Sequence, residues 1–448
     1  MTDSQSEALR SPDEGVGATP RRRTSALIEA ARRLAERLGE PVTLLPLLLL
    51  GAFVVRGVWL DVPPHSLIFD ESYYVNAARI LLGWAVDPGA PYAGAAAGLD
   101  PNVEHPPLGK LLIAASMTLL GDNGVGWRLP SVIAGMAVLA ALYGIVRSAG
   151  GSAHLAILAV ALLAFDNLTF VHSRLGTLDM LALGAVLVGA WFAIRRRWVL
   201  AGVLVAAGFL VKLTAVYALL ALVLLPLLKI AETWWVERRL SRPDLRDAIV
   251  LLVSFSVVSI AGLWILDAGF TTFANPLDHV LYMIRYGANL QASVDHGGFC
   301  VGISSPPWQW PFNTCQINYL RVDVTVNDPT GAATTVSSID FRGALNPLLA
   351  SAIPFACLFA VWLALRTEDL LVRWSVVWMA ANYLPFVALA LVNNRVTYLY
   401  YVLPVLPAVA VAVAIFLLRS GLPRFVAWGY LVAYALGFAA YFPFRQIP

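Results

Sequence analysis

Charged residues are scarce in this chain. Only 13% of its 448 residues are charged, 59% are hydrophobic, and the mean hydropathy is +0.72. A water-soluble domain carries about 25% charged residues, so this composition excludes a soluble globular protein. Apolar runs long enough to cross a hydrocarbon core of roughly 30 Å as helices recur along the chain. The sequence therefore predicts an all-α polytopic membrane protein.

Two further absences bear on which classes of function the sequence allows. No Gly-x-x-x-x-Gly-Lys-Ser/Thr phosphate cradle occurs, which fits an activated donor that arrives on a lipid better than a soluble nucleotide. A secretory signal peptide is also missing, and residues 1–42 read as a cytoplasmic tail that is disordered at first and then basic. Ser25 to Arg37 is predicted to lie on an anionic inner leaflet rather than to bind nucleic acid, with a merely solvated tail as the alternative.

The remaining residues, 43–448, are predicted to form one transmembrane domain. Of the 31 Lys and Arg residues, 20 fall on one side of the membrane when the tail is placed inside. The positive-inside rule then puts the N-terminus in the cytoplasm and the C-terminus outside. Eleven spans are predicted, at about 43–60, 129–147, 153–168, 178–194, 198–211, 213–229, 248–267, 346–365, 374–392, 396–418 and 425–441.

Two long outer loops, 61–128 and 268–345, have room for further structure. In the first loop, Ser72 to Leu82 is predicted as a short helix with Asp70 or Ser72 as its N-cap. Pro106 to Leu120 is predicted as a helix lying in the outer interface. The Pro-, Gly- and Ala-rich stretch 87–98 between them is typical of a loop, and the residues after Tyr319 in the second loop favour a small hairpin.

Cysteine is rare, with three residues in the whole chain. Cys300 and Cys315 share the second outer loop, where a disulfide would close a loop of about 15 residues and stabilise it by roughly 3 kcal/mol in an oxidising compartment. Two unpaired thiols are the alternative. Cys357 falls in the middle of a predicted span and is interpreted as a core residue.

Asp70 and Glu71 are adjacent carboxylates at the start of the first outer loop. Both cannot ionise cheaply in a partly dehydrated cavity, so one can hold a raised pKa and take a proton from a hydroxyl group. The alternative is that Asp70 caps the following helix and Glu71 is solvated in its first turn. His105 could accept a proton, satisfy a backbone group or join the two carboxylates around a divalent metal, although no second His accompanies it. No cofactor is assigned.

Further charged and aromatic side chains are predicted on the same outer side of the membrane. Fixed cations there suit a phosphate at the head of a lipid carrier, and snorkelling anchors are the alternative. Exposed Trp side chains can stack on a sugar, or lie in the headgroup belt. The candidates for the phosphate or substrate are His105, Lys110, Arg128, Arg174, Asp179, Lys212 and Arg395, and those for stacking are Trp308 and Trp310.

These motifs resemble a known family. Phe69-Asp70-Glu71, His105-Pro-Pro-Leu-Gly-Lys110, Ser173-Arg-Leu-Gly-Thr-Leu-Asp179, Val211-Lys212 and the Pro-Trp-Gln-Trp-Pro stretch occur in the order found in protein O-mannosyltransferases of the GT-C class, and the chain is most similar to their actinobacterial members. The resemblance implies the GT-C fold, with eleven spans and two interface helices in the first loop. It also implies that Asp70 is the catalytic base and that Glu71 helps to position the acceptor or sugar. The residues implied to line the donor phosphate site are His105, Arg128, Lys212 and Arg395.

The implied reaction transfers mannose, with inversion, from a polyprenyl-phosphate mannose to Ser or Thr of secreted proteins at the plasma membrane. The implied partners are this donor lipid, the acceptor proteins, membrane lipid and the translocon. Transfer of another lipid-linked sugar to a lipid or cell-wall glycan is one alternative. A transporter of lipid-linked sugar is another, but the chain lacks the internal repeats expected of one.

Overall fold

The computed structural model describes residues 40–292, 300, 302–327 and 333–445. The predicted amphipathic segment Ser25 to Arg37 lies outside the described residues. The chain divides into two units, and residues 48–448 form the larger one. Of the smaller unit, 1–47, the structure describes residues 40–47, which include the start of the first helix.

Helices dominate the first half of the chain. Asn123, Ser152 and Asp166 each accept a backbone N–H from the turn that follows, so polar caps fix where three of these helices begin. The helices are α1 (Pro41–Gly57), α2 (Glu71–Leu81), α3 (Leu108–Leu120), α4 (Gly124–Ser148), α5 (Ala153–Ala164), α6 (Asn167–His172), α7 (Leu178–Ile194), α8 (Trp198–Val211), α9 (Val216–Glu237, entered through a 3₁₀ turn at Leu213–Ala215) and α10 (Arg242–Phe270).

The second outer loop contains a helix, a 3₁₀ turn and a hairpin. The helix is α11 (Pro276–Asn289), the 3₁₀ turn covers Pro307–Phe312, and the strands are β1 (Ile317–Asn327) and β2 (Ala333–Gly343). The strands are antiparallel, with Ile317 opposite Gly343. On the other edge of β2, a bridge between Ile339 and Phe444 joins the segment after the last helix to the hairpin.

Four helices complete the domain: α12 (Pro347–Arg366), α13 (Leu370–Asn393), α14 (Leu406–Arg419, preceded by a 3₁₀ segment at Leu399–Val405) and α15 (Arg424–Ala440). Each of the eleven predicted spans coincides with an apolar helix in the part of the chain that the structure describes. Six of these helices are long and apolar enough to cross a membrane by length and composition, and the other five are 12 to 17 residues long. Helix length therefore supports a polytopic protein without fixing the number of crossings at eleven.

The two predicted interface helices are present as α2 and α3, and the hairpin is present as predicted. The sequence prediction missed α11, since His279 and the charged residues of this helix interrupt its apolar pattern. It also missed α6, because it extended the third span to residue 168, whereas α5 ends at Ala164.

Two apolar clusters hold these elements in place. The larger one fills the space between the long helices, and a smaller one joins α2 and α3 to the N-terminal ends of α4 and α7. Gly109 permits the close packing of α3 in the smaller cluster. A Cβ atom at this position would lie 2.5 Å from Leu178 Cδ2 and 2.9 Å from Val211 Cγ1. The close approach fixes α3, and with it the His-Pro-Pro segment, against the membrane domain.

Candidate active site

Asp70 lies at the N-cap position of α2, but its side chain does not cap the helix. The residue before it, Phe69, has a φ of +56°, a left-handed conformation that is rare for an aromatic residue. The Phe69 ring packs on Tyr319 with 4.2 Å between ring centroids, which holds this turn in place. The Asp70 carboxylate is therefore not consumed by capping the helix that it precedes.

The Asp70 carboxylate is largely desolvated and has no hydrogen-bond partner among the residues that the structure describes. Burial raises its pKa to about 7; the Lys212 ammonium opposes this shift and the Asp179 carboxylate adds to it. A carboxylate that accepts no hydrogen bond and has a pKa near neutrality is suited to take a proton from a hydroxyl group.

Asp179 and Lys212 form an ion pair beside Asp70. Lys212 Nζ lies 2.6 Å from Asp179 Oδ1, and the ammonium also lies 5.7 Å from the centre of the Tyr400 ring. Lys212 is 5% exposed, and the second carboxylate oxygen of Asp179 has no hydrogen-bond partner among the described residues. The pair places one fixed cation, and one oxygen able to accept a hydrogen bond, next to the candidate base.

Buried tyrosines surround these carboxylates, and the sequence prediction missed them. Burial raises the pKa of Tyr74 and of Tyr319 well above the usual value, and the negative charges of Asp70 and Asp179 add to both shifts. Tyr319 also lies 2.7 Å from His172 Nε2, and Tyr400 packs edge-on to Phe69. The sequence signal for these tyrosines is the pair of tyrosine-rich runs Tyr73-Tyr74 and Tyr398-Leu-Tyr-Tyr401. Such runs indicate a sugar site because neutral phenols suit the binding of sugar hydroxyls.

His105 and Arg395 lie on the side of the site where the cations are found. Burial, and then the charges of Lys212, Lys110 and Arg395, hold the pKa of His105 well below its usual value, so this imidazole is neutral. Its Nδ1 has no partner among the described residues. Arg395 donates through Nη1 to the Gly287 carbonyl, while its Nε is unpartnered within the same part of the chain.

Glu71 is fully engaged by other groups, contrary to its predicted role beside the acceptor or sugar. Its oxygens accept two bonds from Arg128, Nε to Oε1 at 2.8 Å and Nη2 to Oε2 at 2.9 Å. The Ile68 and Gly176 amides donate to the same carboxylate, both at 2.7 Å. With four donors and 0% exposure, Glu71 has no oxygen left for a substrate.

Arg128 is correspondingly occupied, which corrects the expectation that it grips the donor phosphate. Besides its two bonds to Glu71, it donates to the Leu60 and Ser66 carbonyls at 2.8 Å and to the Val62 carbonyl at 3.5 Å. These contacts engage all five N–H groups of the guanidinium. Arg128 therefore closes a buried clamp, the Glu71–Arg128 clamp, on the entry to the first loop.

Arg174 and Lys110 also serve the scaffold rather than a phosphate. Arg174 donates to four carbonyls at the C-terminal end of α1, from Val55 to Trp59, at distances of 2.7 to 3.1 Å. Lys110 is buried against Asp100, with 2.6 Å between Nζ and Oδ2. It also donates to the His105 carbonyl at 2.7 Å and to that of Asn102. Both cations satisfy backbone groups that would otherwise be buried without partners.

The two tryptophans of the Pro-Trp-Gln-Trp-Pro stretch differ in exposure, because one lies at the surface and the other in the core. Trp308 is 41% exposed, so it can still meet a sugar or a headgroup. Trp310 is 1% exposed and donates to Ser305 Oγ at 3.1 Å, which contradicts a stacking role. Nearby, Cys300 and Cys315 are joined in a disulfide.

The metal alternative does not fit the described residues. Among them, no group of three or more His, Cys, Asp or Glu side chains is placed to hold a metal ion. Both oxygens of Glu71 are engaged by Arg128 and backbone amides, so this carboxylate is not available to join Asp70 and His105.

The chain is similar to known proteins in sequence and in fold. Residues 104–261 match the sequence model of the dolichyl-phosphate-mannose-protein mannosyltransferase family. A polyprenol-phosphate-mannose–protein mannosyltransferase of Mycobacterium tuberculosis is 36% identical over 113 residues, which is 25% of this chain and 20% of the relative. The Corynebacterium glutamicum protein of that name is 31% identical over 133 residues, or 29% of this chain and 24% of the relative. The matched stretches thus span less than a quarter of these relatives.

The fold is similar to that of the S. cerevisiae protein O-mannosyltransferase Pmt1-Pmt2 complex bound to the sugar donor. The TM-score is 0.65 at 12% sequence identity, and the match covers 90% of each chain. This likeness confirms the predicted GT-C fold, and the sequence matches confirm the family resemblance.

Proposed function

We propose that this chain, whose residues 104–261 match the sequence model of the dolichyl-phosphate-mannose-protein mannosyltransferase family, transfers mannose from a polyprenyl-phosphate mannose to Ser or Thr hydroxyls of proteins on the outer face of a membrane. The names of the matched relatives and the fold support the donor and the acceptor class. The observation that carries the proposal is the unpartnered Asp70 carboxylate, with a pKa of about 7, beside the Asp179–Lys212 pair.

The reaction is a direct displacement. Asp70 takes the proton of the acceptor hydroxyl while the hydroxyl oxygen bonds to the anomeric carbon of mannose. The bond from that carbon to the phosphate oxygen breaks, and the prenyl phosphate leaves with the electron pair. Attack from the face opposite the leaving phosphate inverts the anomeric configuration.

Lys212, Arg395 and His105 stabilise the charge that develops on the leaving phosphate. Lys212 and Arg395 contribute fixed positive charge, and the neutral His105 can donate one ring N–H. Glu71, Arg128, Arg174 and Lys110 hold the loop and the helix ends that carry these groups. Trp308, exposed at the second outer loop, remains a candidate for the acceptor or the sugar.

The proposed reaction also requires a particular orientation of the protein in the membrane. We place the N-terminus in the cytoplasm and both long loops outside, as the basic residues of the short turns indicate. The acceptors are then polypeptides that emerge across the membrane, and association with a translocon would supply them while their Ser and Thr side chains are still accessible.

The test uses membranes that contain the protein, radiolabelled polyprenyl-phosphate mannose and a Ser/Thr-rich peptide. We expect labelled peptide with the wild type, none with Asp70→Ala, and wild-type labelling with Asp87→Ala, which removes an exposed carboxylate of the same loop. An unlabelled peptide with the wild type, or equal labelling with Asp70→Ala, contradicts the proposal. Label on a lipid or glycan would instead favour another GT-C transfer, and lipid-linked label that crosses vesicles without transfer would favour a transporter.

A further inference from the structure

Another buried pair of ionisable side chains lies where α10 meets α11. His279 of α11 and Asp267 in the last turn of α10 are 0% and 1% exposed, with 2.6 Å between His279 Nδ1 and Asp267 Oδ1. The ring of Phe273 stacks on the imidazole, with 4.3 Å between centroids and 8° between planes. The other ring nitrogen, Nε2, lies 2.8 Å from the carbonyl oxygen of Val103 in the first outer loop.

The positions of the protons follow from the partners. A carbonyl oxygen only accepts, so His279 Nε2 carries a hydrogen and donates it to Val103. The 2.6 Å contact with Asp267 requires a second proton between Nδ1 and the carboxylate. The shared proton fixes the ring, and the ring in turn holds the Val103 carbonyl.

Val103 belongs to a short segment, 100–105, that is tied down from two sides. From α3, Lys110 binds the Asp100 carboxylate and the carbonyls of Asn102 and His105. From the corner between α10 and α11, the Phe270 carbonyl accepts the Asp100 amide at 2.7 Å, and His279 binds Val103. The segment ends at His105, whose imidazole Nδ1 has no partner among the described residues, so the backbone fixes where this ring lies.

We propose that His279, oriented by Asp267, is a positioning residue for the donor-phosphate side of the site. It does not touch substrate. Its bond to Val103 sets the position of the segment that presents His105 to the leaving phosphate, and a displacement of about 1 Å in such a group can cost about a hundredfold in rate. The role assigned to His105 rests on the proposed function, whereas the fixing of the segment does not.

Two substitutions separate positioning from a general loss of stability. In His279→Gln, the side-chain amide nitrogen can take the place of Nε2 and still donate to Val103. In His279→Asn, the shorter amide can take the place of Nδ1 and meet Asp267, but it cannot reach Val103. Both variants remove the imidazole, and each keeps one of its two bonds: Gln keeps the bond to Val103, and Asn keeps the bond to Asp267.

The experiment measures amide hydrogen exchange of residues 100–105 in the full-length protein, together with the donor KM and kcat of mannose transfer. We expect His279→Asn to speed exchange in this segment and to raise the donor KM by about ten- to a hundredfold, with both values near those of the wild type in His279→Gln. The thermal transitions of the two variants should be similar. Wild-type exchange in His279→Asn, or equal KM in the two variants, overturns the proposal.

Two further outcomes are distinguishable. A wild-type protein that transfers no mannose defeats the proposed function, while the exchange comparison still decides whether His279 fixes segment 100–105. Should both variants fail to fold, Phe273→Leu removes the stacked ring that holds the imidazole plane and so loosens the His279 bond to Val103 without deleting either hydrogen-bonding group. Faster exchange in the segment together with a raised donor KM then supports the positioning role, and no change in either overturns it.

Discussion

Asp70 and Glu71 are neighbours in the sequence with opposite surroundings. Glu71 accepts four hydrogen bonds and faces a cation at bidentate distance. Asp70 accepts none from the described residues, although Lys212 is near enough to oppose the rise in its pKa. The difference separates two roles that the sequence alone could not divide: one carboxylate holds the loop, and the other retains its proton affinity for chemistry.

The pKa of Asp70 predicts how activity depends on pH. A base must be ionised to accept a proton, so kcat/KM should rise with pH up to about 7 and level off above it. Below the pKa it should fall about tenfold per pH unit. A pH series of initial transfer rates at low donor concentration checks this, and a flat profile between pH 5 and 8 would argue against Asp70 as the base.

Asp70 and Glu71 are expected to affect the stability of the fold in opposite directions. The folded-state pKa of Asp70 is raised from 3.8 to about 7, so ionised Asp70 destabilises the fold; the penalty begins above pH 3.8 and is complete above about 7. At pH 8, Asp70→Asn should therefore stabilise the protein by roughly 1 to 4 kcal/mol while abolishing transfer. Glu71→Ala should instead destabilise it by about 3 to 5 kcal/mol, because Arg128 is left buried without its counter-ion.

Thermal unfolding of the purified protein in one detergent measures both changes, and at pH 4 the gain from Asp70→Asn should nearly vanish. A loss of stability in Asp70→Asn at pH 8 would mean that the carboxylate is held by contacts that the structure does not show.

At the scale of elements, the contact between α3 and the outer ends of α7 and α8 fixes the His-Pro-Pro segment. Gly109→Ala would bring a methyl group to within 2.5 Å of Leu178 and 2.9 Å of Val211. Such overpacking costs about 1 to 3 kcal/mol, and relief by a shift of α3 would move Lys110 and the segment that it holds. We expect lower thermal stability and a larger loss of transfer activity than the stability change explains.

Leu119→Ala is the matched control for this helix, because Leu119 is 83% exposed on α3. Its protein should unfold and react like the wild type. A Gly109→Ala protein with wild-type activity would show that α3 can move without disturbing the site.

For the molecule as a whole, the proposed orientation can be tested with cysteine labelling. With Cys357 replaced by Ala, and with Cys300 and Cys315 joined in their disulfide, a membrane-impermeant thiol reagent should label Asp87→Cys on intact cells. It should label Arg196→Cys, in the exposed turn between α7 and α8, only after the membrane is opened. The reverse pattern would invert the topology and remove the outward site.

The positions of helices were predictable because the bilayer imposes one requirement on every span, an apolar stretch of sufficient length. The partners of the charges were not. Arg128, Arg174 and Lys110 carry the charge that a phosphate needs, yet the fold brings carbonyls and carboxylates from distant segments to them. Lys212 and Asp179 look no different in the sequence, and they do lie beside Asp70. A cation shows its charge in the sequence, whereas its partner is fixed by tertiary structure.

The role of His279 could not be predicted from the sequence either. It lies in a helix that hydropathy did not reveal, and its two partners are 12 residues before it and 176 residues before it. No local pattern links these three positions. The three are brought together only when the two outer loops pack against each other.

The Glu71–Arg128 clamp also has a consequence for biosynthesis. Glu71 is synthesised 57 residues before its counter-ion and 105 residues before Gly176, the last of its donors. An ionised carboxylate is costly to bury without partners, so the clamp cannot close on a nascent chain that stops short of α7. The first long loop should therefore acquire its fold only after α4 to α6 have been delivered, and until then the turn that carries Asp70 would be accessible to proteases and chaperones.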